Sequence, residues 1–136
     1  MTEFVSEIKT ISSNQGNVYR VLSDLSNLEQ VKDRIPQDKV TDLAFDADSC
    51  SFSVSPVGNV KFSIVERTPD STIKFAADQL PVDLFLWIQL KSTGEEETKM
   101  KITVKAELNM MIKPMVSKPL QDGVNKLADV LANIPY

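Results

Sequence analysis

From Lys39 to Leu108 apolar and polar residues alternate with a period of two, the pattern of strands that turn one dry and one wet face. Cys50, Phe52 and Val54 alternate with Ser49, Ser51, Ser53 and Ser55, and Val60, Phe62 and Ile64 with Asn59, Lys61 and Ser63. Ile73, Phe75 and Ala77 oppose Thr72, Lys74 and Asp78, while Met100, Ile102, Val104, Ala106 and Leu108 oppose Lys99, Lys101, Thr103, Lys105 and Glu107. The runs are cut at "DADS", "SPVGN", "RTPDS", "DQLPVD" and "STGEE", each holding the Gly, Pro, Asp or Asn that tight turns use. Six strands joined by short links predict an antiparallel meander.

The period changes at both ends. Residues 3–11 read as one strand with mixed alternation. In "SSNQGNVYRVLSDL", Val18, Val21, Leu22 and Leu25 fall at i, i+3, i+4 and i+7, which predicts a helix that Ser13 or Asn14 can cap. A second short helix is expected to start at Ser26, which has capping-box spacing with Glu29, and to stop ahead of Pro36. Leu120, Val124, Leu127, Leu131 and Ile134 form one face of a long terminal helix, with regular helix expected to begin between Pro114 and Pro119. A sheet with one dry face must bury it, and the first two helices offer too little surface. The terminal helix is therefore predicted to lie across the sheet, with Gly123 either letting the helix approach the sheet, the preferred reading, or leaving room beside it.

One strand departs from the alternation. In "VDLFLWIQL", Val82, Leu84, Leu86, Ile88 and Leu90 take the dry side and leave Phe85 and Trp87 on the side that elsewhere carries Lys and Ser. Such residues are either single surface aromatics or a protein contact, and a homodimer through Phe85 and Trp87 is the form that contact would take.

Composition narrows the function classes. A chain of 136 residues fits one domain, 1–136, and can bury roughly two-thirds of its unfolded surface. Nineteen acidic against fifteen basic residues give a net charge of -4, and the basic residues are scattered singly, so neither nucleic acid nor an anionic membrane is an expected partner. "MTEFVSEIKT" has no basic or apolar signal-peptide region, and the longest apolar run, "LFLWI", is far short of the ~20 residues a membrane helix needs. No export signal and no membrane insertion are expected, which makes the cytoplasm the default location.

Chemistry is sparse. The lone Cys50 leaves no internal disulfide and no multi-cysteine zinc site. The chain has no histidine, the commonest general base and metal ligand. Asp42, Asp46, Asp78, Asp83 and Glu107 all alternate outward, so no acid is expected in the dry interior. The expectation is no metal, no cofactor and no catalytic residue; the polar groups able to reach a pocket mouth are Tyr19, Arg20, Glu66, Arg67 and Tyr136.

The element order, together with "VYRVLSDLSNLEQ", "VERTPDSTIKF", "EEETKMKITVKAEL" and "KPLQDGVNKLADVLANI", resembles the START-related helix-grip superfamily (SRPBCC), in particular its polyketide cyclase/dehydrase-like and coenzyme Q-binding-like small proteins. The likeness spans essentially the whole chain. It implies an α+β helix-grip fold: strand, two short helices, six-strand antiparallel meander, and a long C-terminal helix packed across a concave sheet. It also implies a cavity between sheet and helix that holds a lipid, quinone or polyketide-like molecule. By position in such a fold, Phe52, Phe62, Phe75, Leu86, Ile102 and Val104 point toward the cavity. Val124, Leu127 and Leu131 face them from the helix, and Met111 and Met115 lie near one end. The same side chains could instead fill that space as core. Binding or carriage of a hydrophobic small molecule is the expected function. The alternatives are a cyclase or dehydratase-type enzyme using Tyr19, Glu66 or Arg67, and an interaction module with a filled core.

Overall fold

A computed structural model describes residues 2–34, 40–54, 58–78, 83–134 and 136. The chain runs β1 (Thr2–Val5), β2 (Lys9–Ile11), α1 (Gln15–Leu22), a 3₁₀ helix (Leu25–Arg34), β3 (Val40–Phe45), β4 (Ser49–Val54), β5 (Gly58–Thr68), β6 (Thr72–Asp78), β7 (Leu84–Gly94), β8 (Glu97–Ala106) and α2 (Lys113–Ala132). β3 to β8 are the six expected meander strands, each antiparallel to the next, and β1 and β2 pair with the far side of β8. Phe75, Leu86, Val104 and Phe4 stand in one cross-strand row, so the dry face continues from strand to strand as the alternation requires. The architecture is α+β, an eight-stranded antiparallel sheet with a long C-terminal helix. Pro36, Ser55, Val82 and most of the "SPVGN" and "DQLPVD" turns lie outside the described residues.

The single strand expected over 3–11 is two strands, and Ser6 is the cause. Its N–H donates to the Ile102 carbonyl at 2.8 Å while its hydroxyl oxygen accepts the Ile102 N–H at 2.9 Å, so a side chain replaces a ladder bond where the backbone leaves the strand path. The interruption is where α2 is held. Asn125 Oδ1 accepts the Glu7 N–H at 3.2 Å, Gln121 Nε2 donates to the Val5 carbonyl at 2.9 Å, and Lys9 pairs with Asp129.

Of the two caps expected for α1 the structure selects one. Asn14, not Ser13, caps α1, its Oδ1 accepting the Asn17 N–H at 2.8 Å; Ser13 instead offers its carbonyl to the Thr98 hydroxyl. The helix ends at Leu22, and Leu25 opens the 3₁₀ helix. Asp24 braces its first turn, the Asp24 carboxylate accepting both the Ser26 N–H (3.1 Å) and the Ser26 hydroxyl (2.5 Å).

α2 begins at Lys113, one residue ahead of Pro114, and runs through Pro119. The start expected between the two prolines is thus corrected. First-turn N–H groups have no acceptor within the helix, so Pro114 forfeits no bond there. Val124, Ala128 and Leu131 are buried against the sheet, with Leu120 and Leu127 half-buried beside them. The helix packs on β8, β1 and β2, and α1 on β7 and β8. Gly123 does not serve close packing: a Cβ built there meets nothing within 4 Å.

Candidate functional site

The inner face of the sheet divides into two unlike halves. On β6, β7 and β8 the inward side chains Ile73, Phe75, Leu86, Ile88, Met100, Ile102 and Val104 are all buried, and they form one cluster with Val18 and Leu22 of α1 and Val124, Ala128 and Leu131 of α2. On β3, β4 and β5 the inward Phe45, Cys50, Phe52, Phe62 and Ile64 keep part of their surface accessible, while Val60 is buried. Phe52 and Phe62 stack with ring centroids 6.0 Å apart.

The position of α2 explains the division. Gln121, Asn125 and Asp129, one flank of the helix, bind the β1–β2 segment at one edge of the sheet. Leu120, Gly123 and Leu127 lie on the opposite flank, on the side toward the sheet interior. Gly123 adds no side chain to that flank and the two leucines are only half-buried, so apolar surface on helix and sheet remains incompletely packed.

The polar candidates are dispersed. β5 shifts register between Ile64 and Glu66, which leaves Val65 exposed, sets Glu66 outward opposite Lys74, and turns Arg67 to the inner side opposite Ile73. Arg67 is committed there. Its Nε and Nη2 donate to the Ser23 carbonyl at 3.1 and 3.0 Å, and Nη2 also reaches Asp48 Oδ1 at 2.6 Å and the Ala47 carbonyl at 3.4 Å. The guanidinium therefore ties the C-terminal end of α1 to the β3–β4 turn, where a cation suits the helix dipole. The Tyr136 hydroxyl donates to the Leu131 carbonyl at 2.5 Å, and burial pushes its pKa up. Tyr19 is half-buried against the core. Glu66 and Arg67 lie on opposite sides of the sheet, so the residues considered for an enzyme do not form one constellation. Among the described residues no group of three or more acidic or Cys side chains is placed to hold a metal.

Burial raises the Cys50 thiol to about 11, with a smaller opposing effect from the Phe62 backbone N–H. The thiol is neutral at ordinary pH and acts as part of the apolar wall.

No protein-family model matches the sequence, and no curated protein sequence matches it either. Solved structures do match in shape. A START superfamily protein from Mycobacterium smegmatis superposes with a TM-score of 0.70 over 96% of this chain and 94% of its own, at 12% identity. A norcoclaurine synthase from Thalictrum flavum gives 0.74 over 96% and 92%, at 13% identity, and a protein from Thermus thermophilus gives 0.68 over 96% and 94%, at 19%. The chain has the START-related helix-grip fold.

Within this helix grip the sequence-derived lining residues fall into three groups. Phe75, Leu86, Ile102, Val104, Val124 and Leu131 are buried in the cluster, and Ile102, at 0% exposure, touches no open space. Phe52 and Phe62 belong to the part-accessible half, and Leu127 of α2 is likewise half-buried. Met111 and Met115 are 85% and 76% exposed, so their expected place in the wall is corrected: they sit on the surface where the chain leaves β8 and starts α2. Sequence reasoning did not single out Phe45 or Ile64 as lining, or Leu120 as their counterpart, although all three obey the same periodicity.

An open depression of about 550 Å³ lies at the β3–β5 end of the sheet. Ser51, Ser53, Asn59 and Lys61 line it with Asp42 and Asp46, and Phe45, Phe52 and Val60 contribute as well. Its lining is mixed, polar side chains standing beside two of the phenylalanines of the part-accessible half. Asp46 there has its pKa lowered, first by the Ser49 hydroxyl and then by the Asp48 N–H.

Proposed function

We propose that the chain acts as one START-like domain, residues 1–136, and binds a hydrophobic small molecule of lipid, quinone or polyketide-like character in the helix grip. The ligand would lie between the β3–β5 half of the concave face and the Leu120–Gly123–Leu127 flank of α2. The observation that carries this reading is the half-exposed aromatic and aliphatic surface of Phe45, Phe52, Phe62 and Ile64 beside a half of the same face that is fully packed. Each 40 Å² of such surface that a ligand removes from water contributes about 1 kcal/mol. Few hydrogen-bonding groups point the same way, which favours recognition by shape and apolar area over directed polar contacts.

A norcoclaurine synthase structure of this fold is described in complex with dopamine and hydroxybenzaldehyde, two small aromatic molecules. That neighbour is an enzyme, and one fold hosts both carriers and catalysts. Here carriage is the better supported reading, because Glu66 and Arg67 face apart and Arg67 is spent on the α1 terminus. The free thiol suits a reducing compartment, and the cytoplasm is the proposed location. No described helix is long and apolar enough to cross a membrane.

Native mass spectrometry of protein purified from its own host, followed by organic extraction, tests the proposal. A stoichiometric hydrophobic passenger is the expected result. A clean apo mass that does not change on exposure to fatty acids, quinones and aromatic polyketide-like compounds would overturn it.

A further inference from the structure

The outer face of β6, β7 and β8 carries charge that is graded along the strands. At one end stand Asp78, Asp83 and Glu107, all exposed. Two residues along each strand come Ala76, Phe85 and Lys105 in cross-strand register, then Lys74, Trp87 and Thr103, then Thr72, Gln89 and Lys101. Phe85 and Trp87 are half-buried with ring centroids 6.1 Å apart. Lys74 Nζ lies 4.9 Å from the Phe85 centroid and 5.4 Å from that of Trp87, and Lys105 Nζ lies 5.6 Å from Trp87, so lysines on the two neighbouring strands flank the rings. An aromatic centre thus separates an acidic end from a basic one.

We infer that this face binds a second copy of the chain about a two-fold axis that lies in the sheet plane, perpendicular to the strands, above the Phe75–Leu86–Val104 row. Such an axis lays every strand antiparallel over its own copy. On β7, Trp87 meets Phe85 of the other protomer and Gln89 meets Asp83. On β8, Lys101 meets Glu107 and Lys105 meets Thr103; on β6, Lys74 meets Ala76 and Thr72 meets Asp78. Every ring then faces a ring, and no lysine faces a lysine. The isologous arrangement satisfies each pair twice. An axis running along the strands instead would set Asp78 against Glu107, a like-charge contact. The graded charge therefore selects one symmetry as well as one occupant. The inference is independent of what fills the grip, because the two faces of the sheet are separate.

Sedimentation equilibrium of the full chain over a concentration series is the test, with Lys101→Glu, Glu107→Lys and the double variant. Both residues point outward from β8 and its C-terminal end, and circular dichroism checks that each variant is folded. The wild type is expected to reach twice the monomer mass. Each single reversal should weaken association at least about tenfold, since the pair occurs twice, and the double variant should restore it. Trp87 is the chain's only tryptophan, so its emission should change with concentration in step with mass. A wild type that stays monomeric up to about 1 mM would overturn the inference. So would a dimer indifferent to the single reversals, or a double variant no better than either one.

Discussion

Replacing Ile102 and Phe62 by alanine, one at a time, separates a filled core from an unfilled wall. Ile102 is 0% exposed and belongs to the cluster that joins β6–β8 to both α helices, so truncation removes its transfer free energy and leaves an enclosed void. Buried Ile→Ala changes of this kind cost about 2–5 kcal/mol, and ~3.5 kcal/mol is expected here. For a chain of 136 residues the entropy of unfolding near the midpoint is roughly 0.29 kcal/mol/K, so Tm should fall by about 12 °C. A phenylalanine packed equally well would cost about 3–5 kcal/mol on truncation.

Phe62 is expected to cost less, about 1.5 kcal/mol, because part of its ring already borders accessible space and its removal enlarges an opening without enclosing a void. Urea unfolding followed by far-ultraviolet circular dichroism gives both values, with an unchanged m-value confirming that the unfolded states are comparable. A saturating hydrophobic ligand should raise the stability of the wild type and of Ile102→Ala by similar amounts and that of Phe62→Ala by less. Equal losses for the two alanine variants would show that Phe62 is as tightly packed as Ile102 and would refute the division of the inner face.

Gly123→Ala should stabilise the chain by about 0.7–1 kcal/mol in the same urea assay, because the glycine lies within α2 and a Cβ there meets nothing within 4 Å; destabilisation would mean that the helix is more closely approached than described. Arg67→Met keeps an apolar stem but removes the bonds to Ser23, Ala47 and Asp48, and a loss of about 1 kcal/mol is expected after allowing for the partial exposure of the guanidinium. Hydrogen exchange in α1 should speed up in that variant, and unchanged protection there would rule out the tie. Cys50 should be alkylated about 100-fold more slowly in the native protein than in urea at pH 8, since burial moves its thiol from 9.0 to about 11. The native state then holds a proton that the unfolded state has lost, so this group's contribution to stability should fall as pH rises from 9 to 11. Equal alkylation rates would contradict the burial.

The meander was legible because one face of every strand is dry, and a period of two survives uncertainty about where each strand ends. The break at Ser6 was not, since Phe4 and Ile11 still read as inward positions and nothing in the letters says that a hydroxyl will accept the Ile102 N–H. The bulge in β5 had a trace in the apolar doublet Ile64–Val65, yet only the pairing shows that Glu66 and Arg67 part to opposite sides. Capping spacing drew attention to Ser26, but not to Asp24 two residues earlier, whose carboxylate accepts the Ser26 N–H. Met111 and Met115 were placed near one end of the cavity by their position, but their exposure is set by the path from β8 into α2. Periodicity states which side chains face inward. It does not state how much volume opposes them, and that depends on where α2 comes to rest across the sheet.

The resting place of α2 follows from polar contacts at one edge. Three side chains on one flank of the helix bind the short stretch between β1 and β2, and that stretch is free to receive them because Ser6 has released it from the ladder. Held at that edge, the helix buries Val124, Ala128 and Leu131 over β8 and leaves its other flank above a less crowded region. A longer side chain at position 123 would narrow that region. Glycine within a helix costs about 1 kcal/mol relative to alanine, and here no contact requires it. Under the proposed function the cost has a use: it keeps the helix flank recessed beside the ligand. A stability gain in Gly123→Ala combined with intact ligand uptake, and a loss of uptake in Gly123→Phe at undiminished stability, would together assign the glycine to the ligand instead of the fold.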